Sequence, residues 1–243
     1  MGVILPTKKS GINRDYKSQK IGLIGMSGIG KSDFFAQDPK ALFLETEPGL
    51  NFLDVFKVQL RDWDDVKSAY SQLAGLPAEG FPYNIVVIDT IDKLVDYATE
   101  DVISQANSFY KKEINVISDI PEGAGWYRMR NKIKSFLDHL ERLPCAIGYV
   151  GHITTKYLET PGVGKYNKDT ISIGGKVGED LLAWTDHTLH VEAIQRGDRL
   201  VRTVWTKPTQ SREAKSRGGL VPDGWKWTDS SAENYQEFRK LFT

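Results

Sequence analysis

The chain has 243 residues, and its hydrophobic content of 40% is enough for one substantial core or at most two small ones. Basic and acidic residues number 32 each, so a nucleic-acid surface would have to be a local basic patch. A single cysteine, Cys145, excludes an internal disulfide framework. The apolar runs fall short of a membrane span, and residues 1–20 lack the apolar part of a secretory signal. We therefore expect a cytoplasmic protein with no membrane partner.

Strand-like and helix-like segments alternate along the chain, which predicts an α/β fold with a mostly parallel central sheet flanked by helices. Apolar runs predict strands at 21–24, 41–44, 85–88 and 145–150. Apolar residues at helical spacing predict a short helix ending near Asp38 and longer ones at 62–74, 91–110, about 126–140 and 231–242. In the helix predicted at about 126–140, the apolar residues that we expect in the core are Trp126, Met129, Ile133, Phe136, Leu137 and Leu140.

Two further segments complete the prediction. Strands at about 187–193 and 200–206 predict a C-terminal β-hairpin that turns at residues 196–198, and residues 154–175 read as a Gly-rich and Lys-rich loop. We expect residues 1–19 to be an N-terminal extension and residues 20–243 to be a single domain with a C-terminal appendage from about 218.

A phosphate-binding motif follows the first predicted strand. Residues 25–32, GMSGIGKS, match the pattern G-x-x-x-x-G-K-[ST] at every fixed position. Glycines let the backbone N–H groups turn towards phosphate oxygens, the lysine reaches the β- and γ-phosphates, and the serine hydroxyl binds Mg²⁺. The alternative is a chance match in a glycine-containing turn. The expected nucleotide-binding residues are Gly25, Met26, Ser27, Gly28, Ile29, Gly30, Lys31 and Ser32.

Two other predicted strands end in carboxylates. Asp89 follows the apolar run 85–88, as in a Walker B strand, where it would hold Mg²⁺ together with Ser32. The strand at 41–44 is followed by Glu45 and Glu47, and Glu47 is the candidate to orient the attacking water. The alternative is that both glutamates are solvated charges at a strand end.

This order of parts resembles the RecA/RadA recombinase core over roughly residues 20–220, and especially the short bacteriophage RecA-like (AAA-type) ATPases that anneal single strands. The resemblance implies that Glu47 is the catalytic glutamate. It also implies that His152, after the strand 146–151, senses the γ-phosphate where RecA has glutamine. The chain lacks room for the added C-terminal domain of RecA. A phage origin would place the protein in the host cytoplasm.

In that family, two loops beside the sensor strand contact single-stranded DNA, and this chain has suitable residues at both places. Cations can follow phosphates, and aromatic rings can stack on unpaired bases. The alternatives are a solvated helix face and a surface loop. The candidate DNA-binding residues are Arg128 and Arg130 in the first segment and Lys156, Lys165, Tyr166 and Lys168 in the second.

Residues 196–217 contain seven basic and two acidic residues. In a RecA-like ring or filament this segment would face the nucleotide of the next subunit, so Lys207 or Arg212 could stabilise transition-state charge in trans. The alternative is a solvated hairpin edge whose charges limit strand pairing. The four histidines and the cysteine lack metal-ligand spacing, so the sequence predicts no zinc site, and His187 and His190 are expected to be ordinary strand residues.

These observations predict a Mg²⁺-dependent ATPase that uses ATP, forms a ring or filament of identical subunits, and binds single-stranded DNA to promote annealing or homologous recombination. A single-strand-binding protein is a further candidate partner. One rival is a different P-loop NTPase, such as a helicase loader or a DNA-packaging accessory protein. Another rival is a nucleotide-gated binding module with negligible hydrolysis.

Overall fold

A computed structural model describes residues 5–160, 162 and 164–242. It has the expected α/β fold, in which a mostly parallel central sheet is flanked by helices and continued by an antiparallel strand pair near the C-terminus. Among the described residues the central sheet has nine strands. They are β1 (Lys20–Gly25), β2 (Ala41–Glu45), β3 (Phe56–Gln59), β4 (Ile85–Asp89), β5 (Ala146–Gly151), β8 (His187–Arg196), β9 (Arg199–Trp205), β10 (Lys215–Ser216) and β11 (Trp225–Lys226), and a separate hairpin consists of β6 (Ile153–Thr160) and β7 (Gly164–Ile171).

The strand order is β11-β9-β8-β1-β5-β4-β2-β3, and β10 pairs with β8. The pairs from β3 through β2, β4, β5 and β1 to β8 are all parallel. The register aligns Glu45 with Asp89 and Asp89 with Val150, so β2, β4 and β5 end at one edge. Ligands of open α/β sheets bind at the carboxyl ends of the strands, so this edge is where a site is expected.

Six helices pack on the two faces of the sheet in the described part of the chain: α1 (Lys31–Ala36), α2 (Trp63–Ala74), α3 (Ile91–Tyr110), α4 (Ala124–Leu140), α5 (Gly175–Trp184) and α6 (Ser231–Lys240). Asp62 caps α2 by accepting a hydrogen bond from the N–H of Asp65. Helices α2 to α5 cover one face, and α1 and α6 cover the other. No helix in residues 5–160, 162 and 164–242 combines the length and hydropathy needed to cross a bilayer.

The prediction of a loop at residues 154–175 was wrong, because most of this segment forms the β6–β7 hairpin and its last residue begins α5. Both strands are mostly polar and lack a continuous apolar run, so the sequence pattern did not indicate a strand pair. Gly162 and Gly164 have φ values of +82° and +86°, which suit a tight turn. Pro161 and Val163, also in the predicted loop, lie outside the described residues.

The expectation that Trp126 belongs to the core was also wrong. Its side chain is 54% exposed, whereas Met129 and Ile133 on the same helix are buried. Trp126 lies in the first turn of α4, where helical spacing alone did not establish burial. The short edge strand β3 went unpredicted because its four residues are all exposed and lack an apolar run.

Both ends of the described chain pack onto α1. Tyr16 and Tyr235 share a hydrogen bond of 3.1 Å between their hydroxyls, and Tyr235 also donates to Asp38 at 2.6 Å. Phe34 of α1 stacks on Trp227 with ring centroids 5.0 Å apart and makes an edge contact with Phe238 of α6. The segment from 218 onwards therefore covers the helix that follows the phosphate-binding motif.

Candidate nucleotide site

The glycine motif forms the turn between β1 and α1, and two of its glycines are required by the backbone. A side chain at Gly25 would bring its Cβ within 2.6 Å of the Val191 carbonyl oxygen. Gly30, which precedes α1, has a φ of +100°, a value that strains any residue with a side chain. The fixed glycines of the pattern thus satisfy a close strand contact and a left-handed turn.

Lys31 is 5% exposed, and its ammonium group donates to the carbonyl oxygens of Gly25 at 2.9 Å and Met26 at 2.7 Å. Burial lowers the pKa of Lys31, while the negative charges of Asp89 and Asp92 oppose that effect. The ammonium group therefore lies inside the turn, where two neutral carbonyl oxygens accept its hydrogen bonds. A phosphate entering this turn would offer it a stronger partner than the two carbonyl groups.

Asp89 at the end of β4 is 7% exposed and forms a side-chain hydrogen bond with Ser32. Burial raises the pKa of Asp89, and the Ser32 hydroxyl and the Lys31 charge act in the opposite direction. The second carboxylate oxygen, Oδ2, is buried and has no hydrogen-bond partner. A buried carboxylate oxygen beside a serine hydroxyl fits a Mg²⁺ ion, which favours such hard oxygen ligands. Ser32 and Asp89 would hold it.

The two glutamates after β2 have different environments. Glu45 is 3% exposed, and one of its oxygens accepts hydrogen bonds from the backbone N–H groups of Gly49 and Leu50. Burial acts to raise the pKa of Glu45, but these hydrogen bonds and Lys57 outweigh it, so the pKa is lowered. Glu45 therefore shapes the loop. Glu47 lies on that loop with its side chain exposed and lines the cavity above the glycine motif.

His152 directly follows β5, and Asp92 of α3 holds it in place. The Asp92 carboxylate accepts the backbone N–H of His152 at 3.0 Å and contacts its ring Nδ1 at 2.7 Å. This contact leaves Nε2 as the ring nitrogen available to a ligand, which is the arrangement expected of a polar sensor. Asp92 was not predicted as a site residue, although it lies only three residues after Asp89.

These side chains surround one cavity of about 390 Å³ at the carboxyl edge of the sheet. Lys31, Ser32, Glu47, Asp89 and His152 all line it, although they come from four different parts of the sequence. The arrangement combines a phosphate-binding turn, a metal-binding pair, an exposed carboxylate and a histidine, so it can bind a nucleoside triphosphate and direct water at its terminal phosphate.

Arg202 of β9 is a second residue that the sequence analysis did not assign to this region. Its Nη1 lies 3.5 Å from the carbonyl oxygen of Ile29, and its Nη2 donates to the Thr228 carbonyl at 2.7 Å. The same Nη1 lies where a side chain at Gly30 would have to fit, 2.8 Å from the ideal Cβ. Arg202 thus connects the glycine turn to the C-terminal segment.

The other predicted site residues lie outside this cavity: Arg128, Arg130, Lys156, Lys165, Tyr166, Lys168, Lys207 and Arg212. Arg130 pairs with Asp180 at 2.5 Å, and Lys168 lies 3.6 Å from Glu213. Arg212 packs on the ring of Trp205 at 3.9 Å, whereas Lys207 is exposed. Their roles in DNA binding and in trans catalysis stay predictions.

The sheet order, the glycine turn and the Ser32–Asp89 pair define the class as a P-loop nucleotide-binding protein. A family model described as an AAA domain matches residues 17–218, and the chain belongs to that family. The membership supports P-loop nucleotide hydrolysis, and the family generally binds ATP with Mg²⁺. A search of curated proteins finds no match to the chain.

Proposed function

We propose that this protein is a Mg²⁺-dependent ATPase that oligomerises on single-stranded DNA and promotes annealing or homologous recombination, in the manner of the short phage RecA-like ATPases. The observation behind the proposal is the position of the β6–β7 hairpin. It begins at Ile153, immediately after His152 of the nucleotide cavity, and it bears the predicted DNA-binding lysines. The sensor of the nucleotide and the candidate DNA surface are therefore adjacent in the chain.

The hydrolytic roles follow from the cavity. In the proposed mechanism Lys31, which lies in the glycine turn, binds the terminal phosphates, and the exposed Glu47 carboxylate orients a water molecule and accepts its proton. His152, held through Nδ1 by Asp92, presents Nε2 to the same space. When bound by Ser32 and Asp89, Mg²⁺ would neutralise charge that develops on the phosphate oxygens.

The hairpin places three of its four candidate residues on one face. Lys156 pairs directly with Lys168, and Tyr166 lies two residues from Lys168, so these side chains project to the same side. Lys165 lies opposite Glu159 on the other face. Like charges directly across a strand pair repel one another; Glu213, 3.6 Å from Lys168, offsets part of that repulsion, and a phosphate beside Lys156 would offset more of it. A phosphate backbone along the Lys156–Lys168 face meets this requirement.

The segment that contains the candidate DNA-binding residues Arg128 and Arg130 also has exposed aromatic rings. Trp126 and Tyr127 are 54% and 66% exposed and line a second cavity of about 1040 Å³, which shares Glu47 with the nucleotide cavity. Exposed rings at the start of a helix can stack on unpaired bases with little sequence preference. Arg130 also lines this cavity, although its ion pair with Asp180 leaves it less available than the exposed Arg128.

Oligomerisation would place the 196–217 segment beside a neighbour's nucleotide. Within the single chain the exposed Lys207 is the more available trans residue, because the Arg212 side chain is 16% exposed and lies over Trp205. To reach another subunit, Arg212 would have to leave the Trp205 ring.

The test of the function is ATP turnover measured with and without single-stranded DNA, with gel filtration on the same samples. The proposal expects turnover that DNA stimulates and an oligomer that grows on DNA. ATP turnover that is the same with and without single-stranded DNA would favour a helicase loader or a DNA-packaging accessory protein instead. Nucleotide binding with negligible hydrolysis in both conditions would favour a nucleotide-gated module.

The double variant Lys156→Gln/Lys168→Gln should bind single-stranded DNA more weakly. Losing two phosphate contacts should reduce the slope of log affinity against log salt concentration by about 1.4, since each contact on a single strand contributes about 0.7. A salt titration by fluorescence anisotropy measures both quantities. ATP turnover without DNA should stay at the parental level and serves as the check on folding.

A charge-matched control is Lys111→Gln/Lys112→Gln. These exposed lysines follow the C-terminal end of α3, whose 20 residues place them about 30 Å from the helix start near His152. The control should keep the parental affinity and slope. If both double variants behave alike, the hairpin is not the DNA-binding surface.

A further inference from the structure

Three side chains with metal-binding atoms meet where the β6–β7 hairpin contacts the central sheet. Asp169 lies on β7, and His190 and Glu192 lie two residues apart on β8, so the latter two project from the same side of that strand. One oxygen or nitrogen atom from each of the three lies within 4.8 Å of the others. The spacing in sequence gave no sign of this, because the hairpin had been predicted as a loop.

The His190 ring has an unused nitrogen. The residue is 0% exposed, and its Nδ1 lies 3.1 Å from the backbone carbonyl oxygen of Glu213. A carbonyl oxygen can only accept, so Nδ1 bears a proton, and in the neutral ring Nε2 then presents a lone pair. That Nε2 atom is buried and has no hydrogen-bond partner among the described residues, and it lies 3.9 Å from Oε1 of Glu192. A cation between this lone pair and the carboxylate would satisfy both groups.

Hydrogen bonds from neighbouring side chains also orient the two carboxylates. Oδ1 of Asp169 accepts a hydrogen bond from the Thr155 hydroxyl at 2.6 Å, and Oε2 of Glu192 accepts one from the Trp205 indole N–H at 2.7 Å. Metal-binding residues are typically oriented by outer hydrogen bonds of this kind, which fix the atom that faces the ion.

The nearest resident cation does not fill the space. Arg212 lies over the Trp205 ring, and its Nε is 3.5 Å from Oε1 of Glu192 but is buried without a hydrogen bond. Asp169 makes no ion pair within the part of the chain that the structure describes. Among the described residues the guanidinium group of Arg212 therefore pairs with Glu192 but not with Asp169.

We propose that Asp169, His190 and Glu192 form a binding site for a divalent transition-metal ion, with Zn²⁺ or Mn²⁺ as the fitting class. Imidazole nitrogen suits Zn²⁺, and carboxylate oxygen suits Mn²⁺, so one nitrogen and two oxygens distinguish the site from the all-oxygen sites of Mg²⁺. The ion would fasten the hairpin to β8.

The test uses the full, untagged chain, freed of metal by a chelator and then titrated with ZnCl₂, MnCl₂ or MgCl₂ alone and without nucleotide. We expect one Zn²⁺ or Mn²⁺ ion per chain by calorimetry and elemental analysis, together with a raised melting temperature. The isosteric variants Asp169→Asn and Glu192→Gln should each weaken binding by more than about tenfold and lose the rise in melting temperature.

The control is Glu159→Gln, an exposed carboxylate on the same hairpin, which should bind the ion as the parent does. If the site variants fold poorly, X-ray absorption on the parental protein with Zn²⁺ is decisive. It should show nitrogen and oxygen ligands at about 2.0–2.2 Å and no sulfur. Absence of stoichiometric binding by either ion, or unchanged binding in both site variants, would overturn the proposal without bearing on the ATPase.

Discussion

Replacing Lys31 by alanine is expected to lower ATP turnover by about 10²–10³-fold or more while leaving the fold intact. The ammonium group is held inside the glycine turn by two carbonyl oxygens, so it is already aimed where phosphate oxygens would lie. Its removal takes away a preorganised positive charge without opening the apolar core. Steady-state turnover and equilibrium ATP binding measure the loss, and circular dichroism verifies the fold.

A matched control is Lys40→Ala. Lys40 is exposed in the turn between α1 and β2, so the variant loses the same charge outside the cavity. It should retain parental turnover. Parental activity in Lys31→Ala as well would disprove the assignment of the glycine turn to phosphate binding.

The variant Glu47→Gln should bind ATP normally but hydrolyse it about 10²–10⁴-fold more slowly, the range that a general base commonly contributes. The amide keeps the size of the side chain but cannot accept a proton from water. Because Glu47 is exposed and lines the cavity, its replacement should not alter the melting temperature. ATP affinity, single-turnover rate and thermal unfolding are the measurements.

Glu45→Gln provides the contrast, since it is the same substitution two residues away. Glu45 is buried and accepts hydrogen bonds from Gly49 and Leu50, so its neutralisation should lower stability by about 1–3 kcal/mol. The two variants should therefore separate, one in rate and the other in melting temperature. Parental turnover in the Glu47→Gln variant would indicate that Glu47 is a solvated charge at a strand end and not a catalytic base.

The parts of the site that the sequence predicted are those defined by local patterns. The glycine motif predicts its own turn, because Gly30 needs the left-handed backbone that glycine allows, although the close contact that constrains Gly25 is with the distant Val191. Asp89, Glu47 and His152 each follow a buried strand, and parallel strands bring their ends to one edge. The strands β1, β2, β4 and β5 are likewise short apolar runs that alternate with helices.

The parts that went unpredicted depend on contacts distant in sequence. The β6–β7 hairpin pairs two polar segments, so neither has an apolar face that would indicate a strand. Asp169 meets His190 only because that hairpin folds beside β8, and Arg202 reaches Ile29 across 173 positions. Trp126 has the spacing of a core residue, but its side chain is exposed in the first turn of α4.

The stack of Phe34 on Trp227 has a practical consequence for any shortened version of this protein. The family match ends at residue 218, yet the aromatic cover of α1 comes from Trp227, Tyr235 and Phe238, which lie beyond it. A fragment cut at the family boundary would expose Phe34 to water on the helix that begins with Lys31. A cut at the end of the shared sequence would therefore remove part of the packing around the helix that follows the phosphate-binding turn.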